Sequence, residues 1–131
     1  MEHVISGNTY LIAKLNAFDQ LKIARKLAAT TVLVGSLVRT EESKADSTML
    51  ALLMLSYLSD DDAELVTRLC LGAVSRRQDA VIAKIWSSGG LMFADIGMQE
   101  MLQLTAKTIV ENLGDFFLSA LANMETTAAQ V

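Results

Sequence analysis

The sequence predicts a mainly α (α+β) fold, a bundle of about five helices with a small antiparallel β component. Three observations predict it. Between Asn16 and Asn123, apolar residues recur mostly at spacings of three and four, the period of an amphipathic helix. Near the start, Val4-Ile5 and Thr9-Tyr10-Leu11-Ile12 flank Gly7-Asn8, which reads as an N-terminal hairpin. Further on, residues 81–93 alternate around Ser87-Ser88-Gly89-Gly90, which reads as a possible second hairpin. Residues 1–123 are expected to form a single helical domain with the N-terminal hairpin, and residues 124–131 a flexible tail.

Asn16 precedes AFDQLKIARKLAA. Asn is a favoured N-cap, and Asp19 three residues later suits a capping-box arrangement. Ala17, Leu21, Ala24 and Ala28 give one apolar stripe, opposed by Asp19, Lys22, Lys26 and Thr30. The following TTVLVGSLV continues this helix or is locally irregular, with Gly35 as its weak point. Arg39 to Ser47 is polar and reads as a loop, with Asp46 or Ser47 capping the next helix, Thr48 to Leu58. That helix is apolar nearly all round and is expected at the centre.

Ser59 is a good N-cap for a further helix to Val74, with Leu65, Leu69 and Ala73 as its inner face. Asp60, Asp61 and Asp62 then occupy its first turn, where carboxylates offset the positive end of the helix dipole by roughly 0.3–1 kcal/mol each. Three adjacent carboxylates also invite a metal-site reading. Consecutive helical residues point about 100° apart, so these three cannot converge on one ion. The spaced oxygens and glycine of a calcium loop are missing as well.

After SRRQD, Val81, Ala83 and Ile85 alternate with Ile82, Lys84 and Trp86; a helix through Ile85 is the competing reading. Asp95 is expected to cap GMQEMLQLTAKTIVENL, with Gly114 as C-cap, and Asp115 to start a last short helix, FFLSALAN.

A chain of 131 residues with 52% hydrophobic and 20% charged residues can bury a core and is expected to fold. A net charge of −4 argues against general nucleic-acid affinity, which needs clustered Lys and Arg. The charge is uneven: Lys14, Lys22, Arg25 and Lys26 lie early, whereas beyond Leu91 five acids face only Lys107. That asymmetry is compatible with head-to-tail self-association, giving a weak homo-oligomer, and equally with two solvated faces. The apolar run Met49–Leu58 is about half the roughly twenty residues that a membrane span needs. No signal peptide is evident in MEHVISG, so a soluble, cytoplasmic chain without a membrane partner is expected.

The catalytic inventory is thin. His3 is the only histidine, near the terminus, and Cys70 the only cysteine, set among apolar residues. A nucleophile needs a positioned base and zinc needs several Cys or His ligands, and neither pattern is present. No phosphate-cradling glycine motif occurs. No enzyme activity, cofactor or metal is therefore expected. Seven methionines and the cluster Trp86, Met92, Phe93, Met98 and Met101 point instead to an apolar groove for a partner helix, with core filling as the alternative for each residue.

The stretch NTYLIAKLNAFDQLKIARKLA resembles the N-terminal block of the tail assembly chaperones of long-tailed bacteriophages. Lys14, Leu15, Ala17, Phe18, Gln20, Ala24, Arg25, Lys26, Leu27 and Ala28 carry the resemblance. A second block follows: Arg76-Arg77-Gln78, then Trp86, LMFADI and NLGDFF. Together they span most of the chain. VIAKIW stands where that family commonly has a Gly-rich turn, and the proline usual after the first helix is missing. The resemblance implies a non-enzymatic protein of the host cytoplasm, absent from the mature virion. It implies binding to the tape-measure protein, which is kept soluble while the tail-tube protein polymerises around it. It also implies a short, pre-frameshift product with a frameshifted longer form as a further partner. Partner-binding residues are expected at Phe18, Leu21, Arg25, Trp86, Met92, Phe93, Met98 and Met101. A small helical adaptor binding a host protein is the alternative function.

Overall fold

The computed structural model describes residues 2–43 and 48–129. The N-terminal hairpin is β1 (Glu2–Ile5) and β2 (Asn8–Ile12). Ile5 pairs with Asn8, so the two-residue turn is Ser6-Gly7, one position earlier than expected. Both turn residues have positive φ, 52° and 80°, which matches the right-handed twist of the strands. Gly7 takes that conformation without the strain a Cβ brings.

Helix α1 (Ala17–Leu27) begins as expected. The Asp19 N–H donates to Asn16 Oδ1 at 2.8 Å, and Asn16 Nδ2 donates to Asp19 Oδ2 at 3.1 Å. Its buried face is not the expected one. Ile23 and Leu27 are fully buried, whereas Ala17, Leu21 and Ala28 are exposed and Ala24 lies between. Both stripes have helical spacing, and the larger side chains took the core, where each buried CH₂ contributes about 0.8 kcal/mol. One turn of 3₁₀ helix (Ala28–Thr30) leads into α2 (Thr31–Ser43), which runs through Gly35 and into the segment expected as a loop. Gly35 is buried, and a Cβ there would lie 2.5 Å from Leu121 Cδ2, so the glycine permits the helices to approach closely. Asp46 and Ser47, expected as caps, lie outside the described residues.

Helix α3 (Thr48–Ser56) is not central. Ala51 and Met54 are buried, but Met49, Leu52, Leu53 and the following Tyr57 are exposed. Helix α4 (Asp60–Leu71) starts at the expected cap: Ser59 Oγ accepts from the Asp62 N–H at 3.1 Å. Asp62 also pairs with Lys26 at 3.1 Å. Among the described residues, no group of three or more His, Cys, Asp or Glu could hold a metal ion. Helix α4 ends at Leu71 rather than Val74; Val66, Cys70 and Leu71 are its fully buried residues, while the expected Leu69 and Ala73 are half-buried and pack against the same core and Leu65 is half-buried.

The chain then forms a strand over Val74–Gln78, a segment for which no element beyond the helix end at Val74 is expected. Strand β3 (Val74–Gln78) pairs antiparallel with β2 and with β4 (Val81–Lys84), giving the order β1-β2-β3-β4. The alternation at 81–84 thus belongs to a strand, but its partner is β3 and not residues 91–93. The expected second hairpin is reduced to β5 (Trp86–Ser87) and β6 (Gly90–Leu91), turning at Ser88-Gly89. Helix α5 (Met98–Ala129) follows. Gly97, not Asp95, stands at its start: the Gly97 N–H donates to Glu100 Oε2 at 3.2 Å, and the Met101 N–H to the Gly97 carbonyl at 3.0 Å. Gly114 does not end it. Leu113, Phe117 and Leu121 continue one buried stripe across the glycine, which faces Val38, and the backbone stays helical to Ala129, inside the segment expected as a tail.

Helix α5 lies between two cores. Leu102, Ala106, Ile109, Leu113 and Phe117 belong to the core shared with α1–α4. Leu104 packs with Ile5, Tyr10, Ile12, Val74, Ile85 and Ile96 beneath the sheet. Arg76 on β3 is buried in that second layer. It donates to both Asp95 oxygens at 2.8 and 2.9 Å and to Asn8 Oδ1 at 2.8 Å. Its guanidinium also lies 4.5 Å from the Phe93 ring centroid. Asp95 therefore ties the connection before α5 to the sheet instead of capping the helix. His3 is held in β1 and hydrogen-bonds Glu111 of α5.

The Arg76 guanidinium holds the Asp95 carboxyl below the usual carboxylate range, first through the hydrogen bonds it donates. A depressed carboxyl contributes stability above its unfolded pKa of about 3.9, lost as pH falls through the lower folded value. Urea unfolding of the wild-type chain and Asp95→Asn should therefore show a stability gap that is constant above about pH 5 and narrows towards pH 2. A gap independent of pH would contradict this role for Asp95.

Candidate functional site

The connection Ala13–Asn16 is irregular, so its backbone groups need partners outside a ladder. The Ala13 N–H donates to the Ala73 carbonyl at 2.8 Å. The Asn16 carbonyl accepts from the Gln20 N–H at 3.0 Å, and one side chain of α5 takes the Leu15 N–H and the Ala13 carbonyl. Asn112 Oδ1 accepts from the Leu15 N–H at 2.7 Å and from Gln20 Nε2 at 3.3 Å. Asn112 Nδ2 donates to the carbonyls of Ala13 at 3.3 Å and Thr108 at 3.1 Å. This side chain pins the start of α1 beside the middle of α5.

The pinned helices leave a groove of about 280 Å³ between them. Ala17, Leu21 and Ala24 form one wall, Leu113 and Phe116 the other, and Gln20 and Asn112 supply the polar groups. Phe116 is 57% exposed and sits edge-on to the buried Phe117 ring, with centroids 5.2 Å apart. Phe18 is 79% exposed. Phe18, Leu21, Lys22 and Arg25 follow i, i+3, i+4, i+7 along the exposed side of α1, an apolar stripe with a basic end. Of the expected stripe Ala17, Leu21, Ala24 and Ala28, the first three line this groove, Ala24 also packs against the core, and Ala28 is exposed.

A second groove, also about 280 Å³, lies between α3 and the start of α5. Met49, Leu52, Met98 and Leu102 line it with Thr48 and Gln99. Met98 is 70% exposed.

The candidate residues thus separate. Phe18, Leu21 and Arg25 share the exposed face of α1, Met98 faces α3, and Met92 is exposed. Trp86, Phe93 and Met101 pack against the core beneath the sheet. Sequence proximity does not gather the five residues from Trp86 to Met101 into one groove, because β6 and the turn before α5 intervene. Leu113, Phe116 and Asn112 were missed as groove residues. The signal was available: Phe116-Phe117 offers two aromatics in succession, about 100° apart on the helix, and Phe117 takes the Leu113–Phe117–Leu121 core stripe, which leaves Phe116 outside it. Met49 and Leu52 were missed because an all-round apolar helix was read as central.

Such grooves present apolar walls with few polar groups, the form that receives an amphipathic helix through residues at i, i+3, i+4 and i+7. Nucleophilic chemistry is not supported at Cys70, which is fully buried, with its thiol pKa pushed up by burial. Among the described residues no helix is long and apolar enough to cross a membrane.

In a comparison with family sequence models, the family described as "Phage tail assembly chaperone protein, TAC" matches residues 6–125. Comparison with curated proteins and with solved structures returns no match.

Replacing Asn112 by Ala leaves the part-buried Leu15 N–H without its acceptor. Urea unfolding should show a loss of about 1–3 kcal/mol. A change below about 0.5 kcal/mol would mean that Asn112 does not hold the two helices together.

Proposed function

The chain belongs to the phage tail assembly chaperone family, and on that premise we propose that it binds the tape-measure protein and keeps it soluble while the tail tube polymerises. A role in tail assembly follows from the family; the observation that supports this reading is the open groove between α1 and α5, flanked by Phe18 and Arg25. A long helical protein that awaits its tube exposes apolar stripes. A groove of this kind covers one short stretch, and many copies along one rod act through multivalency. Each contact is modest, so the tail-tube protein can displace the copies in turn. The chain acts in the host cytoplasm, without catalysis, alongside a frameshifted longer form of itself, and is left out of the mature virion.

The α1 face carries the binding in this account. Phe18 and Leu21 are exposed, so changing them spares the core; surface changes of this kind usually shift stability by no more than about 0.5 kcal/mol. Co-expression of the tape-measure protein with Phe18→Asp/Leu21→Asp should lower its soluble fraction several-fold, with the chaperone itself folded by circular dichroism. Met98→Asp tests the α3 groove in the same assay and should have the smaller effect. Unchanged tape-measure solubility with the folded double variant would refute the α1 face as the binding surface.

A further inference from the structure

Strands β1 and β4 are the two edges of the four-stranded sheet. Every pairing within it is antiparallel, so β1 and β4 run in opposite directions. A second copy laid edge to edge therefore continues the antiparallel alternation. Among the described residues no strand covers the outer side of either edge. The nearby hairpin bonds just past β4, where the Met92 N–H donates to the Ile85 carbonyl at 2.8 Å.

The register fixes which side chains share a face. Glu2 lies opposite Leu11, Leu11 opposite Ser75, and Ser75 opposite Lys84, so the acid and the base end one row on the solvent side. Val4 and Ile82 lie on that same face, two residues from Glu2 and Lys84. They are exposed, Val4 at 72% and Ile82 at 56%. Bare apolar β-branched residues on both edges are unusual, because edge strands are normally blunted against pairing.

We propose that β4 of one copy pairs antiparallel with β1 of a second copy, Lys84 opposite Glu2 and Ile82 opposite Val4. The inner faces agree in this register, since Ala83 then meets His3 and Val81 meets Ile5. A slip of one residue would put Ile82 on the wrong side of the sheet. The charges favour this heterologous join over symmetric ones: β4 against β4 offers Lys84 no acid from the strand, and β1 against β1 offers Glu2 no Lys or Arg, with His3 on the opposite face and bonded to Glu111. Glu2 already accepts from Arg77 at 2.7 Å and is half exposed, so it can take Lys84 as well. Four residues a side make a weak contact, and a heterologous join leaves a free edge at each end, so association grows with concentration.

Two full-length single-site variants, Val4→Cys and Ile82→Cys, test it by mild oxidation, alone and mixed. The native Cys70 is buried and does not compete. Disulfide-linked dimers should form in the mixture at least about fivefold faster than in either variant alone. Dimers chiefly in Ile82→Cys alone would mean a symmetric join and overturn the proposal, as would no dimer in any sample. Sedimentation adds a readout free of cysteine. Lys84→Glu should weaken self-association about fivefold to tenfold, since it sets like charges opposite each other, and Glu2→Lys/Lys84→Glu should restore it. A monomeric wild-type chain at all concentrations, or no restoration in the double variant, would overturn it.

Discussion

Helix α5 must satisfy two cores at once, and the rest of the molecule is arranged around that constraint. Leu104 points into the sheet layer, whereas Leu102, Ala106, Ile109 and Leu113 point into the helical layer. A helix buried on two sides has little surface left for solvent. The remaining helices and the sheet are fitted against it, and none of them buries its apolar residues completely. Leu21 on α1 and Leu52 on α3 stay exposed because each helix has only one side against α5 and its neighbours. The grooves are thus a consequence of the packing.

Polar side chains keep the grooves from closing. Asn112 ties α5 to the connection before α1 through the Leu15 N–H and the Ala13 carbonyl, and to α1 itself through Gln20, which holds α1 beside Phe116. Arg76 does the corresponding work on the other side, fixing the loop before α5 through Asp95 and fixing β2 through Asn8. A buried guanidinium is tolerable only with such partners, because an unpaired buried charge is strongly destabilising. On the proposed function, holding an apolar stripe and later giving it up calls for a surface of this sort, apolar but held by a stiff frame.

Local chemistry was legible in the sequence. Asn16 and Ser59 cap the helices they precede, and the three aspartates after Ser59 sit in a first turn. The mixed α+β class and the N-terminal hairpin were also readable. Tertiary choice was not. Helix α1 has two apolar stripes, and only the rest of the core decides which one is buried. β3 is hidden because its sequence, VSRRQ, is polar; it is a strand through its pairing with β2 and β4, and its buried Arg76 is satisfied only by distant Asp95, Asn8 and Phe93. Gly114 looked like a stop, but the stripe Leu113–Phe117–Leu121 outweighs a glycine penalty of about 1 kcal/mol. The resemblance placed the family correctly without locating the surface, since its motif residues include both exposed Phe18 and buried Leu27.

Hydrogen exchange on the full-length chain, with and without a soluble tape-measure segment, tests most directly whether the frame holds a helix between α1 and α5. A helix seated in that groove should add protection at amides of residues 17–24 and 112–118, with the amides of β1–β4 unchanged. Protection gained only elsewhere, with those two segments exchanging as in the free chain, would contradict it.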